Sequence, residues 1–97
     1  MSTLATLSRP YAKAAFELAQ ADQALAAWSD RLGLAAEMVT EPALARLLES
    51  PQVSHERVVG IMADAAAERF DKRFRDFLTI LAGNGRLALL PQVGELY

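Results

Sequence analysis

Apolar residues along this chain return every three or four positions and almost nowhere every second one, so helix is the only regular element the pattern predicts. Six helices are expected. The first reaches from near the N-terminus to about Gln20, with Leu4, Leu7, Tyr11, Ala15 and Leu18 close to one face. Pro10 admits two placements: Ser8 caps a helix that holds Pro10 in its first turn, where the missing N–H costs nothing, or the helix begins near Ser2 and bends at Pro10. Asp22 is the expected N-cap of a second helix running to about Thr40. Its stripe of Leu25, Trp28, Leu32, Ala35 and Val39 is the clearest in the chain. Gly33 interrupts it at a propensity cost of about 1 kcal/mol, which packing must offset.

Glu41 and Pro42 break the chain and restart it as a short third helix to about Glu49, presenting Leu44, Leu47 and Leu48 before Ser50 and Pro51 stop it. Ser54 is expected to cap a fourth helix ending near Ala67, with Glu56 in its dipole-favoured first turn and Val58, Ile61, Met62 and Ala65 facing inward. Asp71 caps a fifth through about Ala82, where Gly83, Asn84 and Gly85 supply left-handed conformers. Pro91 then falls near position N1 of a sixth helix carrying Leu90, Val93, Leu96 and Tyr97.

The composition turns this pattern into a single all-α bundle. Its 97 residues fit one domain, and 53% hydrophobic content covers one core. Ten basic against twelve acidic residues leave a net charge of −2, so no overall field draws the protein to nucleic acid or anionic lipid. No cysteine is present, which excludes disulfides, thiolate metal sites and a cysteine nucleophile and is compatible with a reducing compartment. Charges interrupt every apolar run well short of the roughly 18 residues of a spanning helix. The first ten residues do not read as a secretory signal, so a cytoplasmic location without membrane insertion is expected.

Little in the sequence suggests catalysis. His55 is the only histidine, and beside Ser54 at a helix start it reads as an exposed N1 side chain without an orienting partner. One histidine with scattered carboxylates makes no metal cluster, and Gly83-Asn84-Gly85 follows a helix and lacks the continuation of a phosphate loop. No catalytic residue, metal or cofactor is expected. Asp71 and Asp76 read as a cap and a solvated face rather than as a general acid and base. Arg69, Lys72, Arg73 and Arg75 interleave with three phenylalanines, which allows a nucleic-acid-binding reading; a helix with a buried Phe face and a charged outer face produces the same pattern.

Two helices carry more small or apolar surface than a core stripe uses. On the first, Ala12, Ala14, Ala15 and Ala19 permit close approach from more than one side. On the fifth, Phe74, Leu78 and Leu81 suffice for the core while Phe77 and Ile80 broaden the arc. Burial on two sides within the domain would explain the same pattern.

The string Arg9-Pro-Tyr-Ala-Lys-Ala-Ala-Phe16, continuing Glu17-Leu18-Ala19, resembles the opening of the bacterial ATP synthase delta subunit, a relative of the mitochondrial oligomycin-sensitivity-conferral protein. Asn84-Gly85-Arg86-Leu87, followed by Leu90-Pro91 and a helix, resembles that family's join of fifth and sixth helices. The resemblance implies a non-catalytic, six-helix N-terminal domain at the top of the catalytic head, peripheral on the cytoplasmic side of the bacterial inner membrane. It implies docking of an alpha-subunit N-terminal helix between the first and fifth helices. Carried over by motif, the contact residues are Tyr11, Ala14, Ala15 and Leu18 on one side and Asp76, Phe77, Ile80 and Asn84 on the other, with Leu81 at the edge. The family's second domain engages the b-subunit stalk. Nothing in residues 1–97 corresponds to it, so stalk attachment is not carried over, and either an excised N-terminal domain or a naturally short homologue is expected.

Overall fold

The computed structural model describes residues 3–97, and among them every regular element is helical. The order is α1 (Thr3–Ala21), α2 (Leu25–Thr40), α3 (Pro42–Glu49), α4 (His55–Ala66), α5 (Lys72–Gly83) and α6 (Leu90–Leu96), with single 3-10 turns at Ala67–Arg69 and Leu87–Leu89. α6 packs between α1 and α2, α5 packs on α4, and α3 bridges α2 to α4.

Helix boundaries follow local chemistry. The Ser54 hydroxyl accepts from the Arg57 N–H at 3.2 Å, and the Asp71 carboxylate accepts from the Phe74 N–H at 3.0 Å, as the spacing of both caps predicts. Glu41 caps α3 as well as preceding Pro42: its carboxylate accepts from the N–H groups of Ala43 and Leu44. α1 runs unbroken through Pro10, which settles the choice left open by Ser8; whether Ser2 belongs to it lies outside the described residues.

The expectation that Asp22 caps α2 is wrong. Gln23, in the left-handed region at φ 54°, donates to the Gln20 carbonyl, and Ala24 donates to Ala19, so the pair closes α1 in a Schellman motif. Asp22 is thereby committed to the end of α1, and Ala24 precedes α2 without a side-chain cap. At the end of α5 the same motif recurs, Arg86 donating to Leu81 and Gly85 to Ala82. Of the three residues expected to be left-handed there, only Gly85 is, at φ 69°.

Trp28 anchors the core. Its fully buried ring meets Phe74 and Phe77 edge-on at 5.1 and 5.6 Å between centroids, and Leu32, Met62, Leu78, Leu87 and Leu90 fill the space around them. On α1 the buried stripe is Ser8, Ala12, Ala15 and Ala19 rather than the expected leucines, because small side chains let neighbouring helices approach closely. Leu4 and Leu25, expected in stripes, are exposed. So is Ile61, at 41%: it lies roughly 110° around α4 from the centre of the face formed by Val58, Val59, Met62 and Ala66.

Candidate partner-binding groove

With Ser8, Ala12, Ala15 and Ala19 committed to the interior, the flank of α1 that carries Leu7, Tyr11, Ala14 and Leu18 is turned roughly a quarter of the way around the helix. α5 is disposed in the same way, with Phe74, Leu78 and Leu81 inward and Arg73, Phe77 and Ile80 at the flank. α1 and α5 make little direct backbone contact. Between their flanks lies a trough of about 570 Å³ lined by Leu18, Lys72, Arg73, Asp76, Phe77 and Ile80.

Two polar bridges join α1 to α5, one of them at this trough through Arg73 and the other beyond its lining. In the first the Arg73 Nε donates across to the Asp22 carboxylate at 3.1 Å. In the second the Asn84 side-chain amide donates to the Tyr11 hydroxyl at 3.0 Å, while Arg86 approaches the same oxygen at 3.5 Å and lies over the Tyr11 ring, 5.8 Å from its centroid. Tyr11 and Asp22 lie eleven positions apart along and just past α1, as do Arg73 and Asn84 along and just past α5. The two helices therefore run antiparallel along the trough, and the bridges stand about 17 Å apart, three helical turns. Ile80 sits between them, 58% exposed, the most exposed large hydrophobic side chain among the described residues.

Of the residues taken from the sequence, Leu18, Asp76, Phe77 and Ile80 line the trough, while Tyr11, Ala14, Ala15, Leu81 and Asn84 do not. Tyr11, Ala14 and Leu18 are half-buried, and Asp76, Ile80 and Asn84 are exposed. Ala15 and Leu81 are fully buried, so they support the trough from beneath and offer no surface. Phe77, expected as surplus apolar surface, is only 3% exposed: its edge lines the trough while its ring packs on Trp28. Sequence reasoning missed Lys72 and Arg73 in its lining, and the bridges made by Asp22 and Arg86 beside it. The Asp22–Arg73 bridge joins residues 51 apart and has no local signal.

Other features are present beside it. A second cleft of about 610 Å³ between α1 and α6 mixes Arg9, Lys13, Glu17 and Gln20 with Ala12, Phe16, Leu96 and Tyr97. Lys72 is paired with Asp76 at 2.9 Å and Arg73 with Asp22, so half of the basic segment is neutralised within the molecule. His55 is half-buried rather than exposed, and its Nε2 donates to the Leu48 carbonyl at 3.0 Å, tying α4 to the end of α3. Among the described residues no three histidines or carboxylates cluster where a metal could bind, and no helix is long and apolar enough to cross a membrane.

Comparison with known proteins points to one family. The family model described as ATP synthase delta (OSCP) subunit matches residues 7–97. The ATP synthase subunit delta of Thioalkalivibrio sulfidiphilus (strain HL-EbGR7) is 43% identical over 97 residues, covering 100% of this chain and 54% of the relative. That of Ectopseudomonas mendocina (strain ymp) is 46% identical over 92 residues, 95% of this chain and 52% of the relative. The chain spans about half the length of these curated relatives.

Proposed function

The chain belongs to the ATP synthase delta (OSCP) subunit family, and from that premise we propose that it is a non-catalytic module of the enzyme's stator, binding the N-terminal helix of an alpha subunit in the trough between α1 and α5. In this role it holds the catalytic head at its top, as a peripheral component on the cytoplasmic side of the bacterial inner membrane. Attachment to the b-subunit stalk is the work of a second domain, which residues 1–97 do not supply.

The observation that carries this reading is Ile80, exposed in a trough that Leu18 and Phe77 also line, between two helices whose connecting bridges stand about three turns apart. An amphipathic helix of that length offers apolar side chains at i, i+3 or i+4, and i+7, which is the spacing such a trough accepts. Covering Ile80 alone recovers on the order of 1–2 kcal/mol, and Leu18 and the Phe77 edge add to it. Ordering a flexible terminal peptide opposes this gain.

Binding dominated by apolar burial has a distinct salt response. Titration with a synthetic alpha-subunit N-terminal peptide should give an affinity that changes by no more than about threefold between roughly 50 and 200 mM salt, whereas contacts to nucleic-acid phosphates would lose ~10³-fold or more over that range. No detectable binding of the peptide at either salt would overturn the proposal. Tight, steeply salt-dependent binding of an oligonucleotide would put the nucleic-acid reading in its place.

A further inference from the structure

Asn84 is the only asparagine in the chain, and a glycine follows it. That dipeptide invites a spontaneous reaction. With no side chain at Gly85 to hinder it, the Gly85 backbone nitrogen can attack the side-chain carbonyl carbon of Asn84. A bond forms between that nitrogen and Cγ, the bond from Cγ to Nδ2 breaks, and Nδ2 departs as ammonia with the proton that the Gly85 nitrogen gives up. Water then opens the succinimide ring, adding its hydroxyl to either carbonyl carbon and its proton to the ring nitrogen, and leaves aspartate or isoaspartate. Water is the only co-reactant, and no electron changes hands.

The folded turn opposes this attack at each point. Asn84 and Gly85 are both exposed, so water reaches them. Asn84, however, holds ψ at 2°, which rotates its side chain away from the Gly85 nitrogen. The Gly85 N–H donates to the Ala82 carbonyl at 3.0 Å and the Arg86 N–H to Leu81 at 2.8 Å, so the backbone turns into the reactive arrangement only if the end of α5 comes apart. The Asn84 amide is also tied through Nδ2 to the Tyr11 hydroxyl at 3.0 Å.

We propose that Asn84 is a deamidation site gated by the fold: the reaction proceeds when the end of α5 opens locally, and the Tyr11–Asn84 bridge sets how often it opens. Such openings have their own free energy, below that of global unfolding. The change is irreversible and alters the join of α5 to α6. An aspartate at this position accepts from the Tyr11 hydroxyl instead of donating to it and attracts Arg86. Isoaspartate adds a carbon to the backbone and pulls the Gly85 and Arg86 N–H groups out of register with Ala82 and Leu81. The proposal does not depend on what docks beside α1 and α5.

Because no other asparagine is present, the mass gained when an amide becomes a carboxylate, located by peptide mapping, reads the site directly. The chain is incubated at one pH and temperature, folded and in urea. Asn84 in the folded chain should be modified at least about tenfold more slowly than in the unfolded one. Tyr11→Phe should speed modification of the folded chain about two- to fivefold and leave the rate in urea unchanged. Ser54→Ala removes a cap of comparable worth from α4 and should leave the folded rate as it is in the unaltered chain.

Equal rates in folded and unfolded chains would overturn the gate. So would Ser54→Ala matching the acceleration by Tyr11→Phe, since the reaction would then pass through global unfolding. An unaltered folded rate in Tyr11→Phe would overturn the role given to the bridge, and absence of modification at Asn84 in urea would overturn the site itself.

Discussion

Tyr11 and Asn84, 73 residues apart in sequence, share a 3.0 Å hydrogen bond that ties the flank of α1 to the end of α5. With the Asp22–Arg73 pair about three turns away, it joins two helices whose backbones otherwise touch little. Replacing Tyr11 by Phe keeps the apolar ring and removes the oxygen that Asn84 and Arg86 share. Because Asn84 is exposed and can turn to water, the expected loss is about 0.5–1 kcal/mol, read as a lower urea midpoint at unchanged m-value. A double-mutant cycle with Asn84→Ala should show that the two losses do not add.

Ile80 and Phe77 lie three positions apart, and substituting them should separate binding from folding. Ile80 is 58% exposed, so Ile80→Asp should change stability by no more than about 0.5 kcal/mol. The same change should weaken binding of the alpha-subunit peptide at least tenfold, on the order of 1.4 kcal/mol, because docking would bury a carboxylate opposite apolar side chains. Phe77→Ala should instead cost about 3–5 kcal/mol of stability, since its ring packs against Trp28 and Phe74. Thermal melts and calorimetric titrations on the two variants check both halves.

Trp28 lies one layer behind the trough. Its ring is fully buried, with its centroid 5.6 Å from that of Phe77, whose edge lines the groove. Docking that shifts Phe77 should therefore alter Trp28 fluorescence, saturating at the same peptide concentration as calorimetry. In Ile80→Asp the titration should move to higher peptide concentration in parallel with the calorimetric affinity.

Much of the fold was legible because it is written locally. Ser54 and Asp71 cap helices three residues ahead, Gly85 supplies a left-handed turn, and the stripes of α2 and α5 repeat at helical spacing. What the sequence hid depends on which neighbour arrives. Asp22 has the chemistry of an N-cap but is taken by the Schellman end of α1 and by Arg73. Ile61 and Leu25 fit apolar arcs that no helix covers, whereas four small residues form the closest contact face of α1. For the groove, the surplus of Ile80 and the small flank of α1 were visible, and the Tyr11 and Asn84 positions came from motif resemblance. The polar bridges, which join residues 51 and 73 apart, were not visible.

Ala67 closes α4 at φ 55° and ψ −126°, a region that non-glycine residues rarely occupy. It is exposed, so its side chain contributes little packing. Ala67→Gly should therefore raise stability by about 0.5–1 kcal/mol, through relief of strain that outweighs the added freedom of the unfolded chain. A higher thermal midpoint checks this, and peptide affinity should be unchanged because Ala67 is not among the residues lining the trough.

The most direct test of the central claim is a residue-by-residue map of the partner's footprint. Titrating the isotopically labelled chain with an alpha-subunit N-terminal peptide while recording backbone amide shifts should perturb Tyr11 to Leu18 on α1 and Asp76 to Asn84 on α5, with the largest changes near Ile80. Shifts confined to α3 and α4, with Ile80 and its neighbours unmoved, would contradict it.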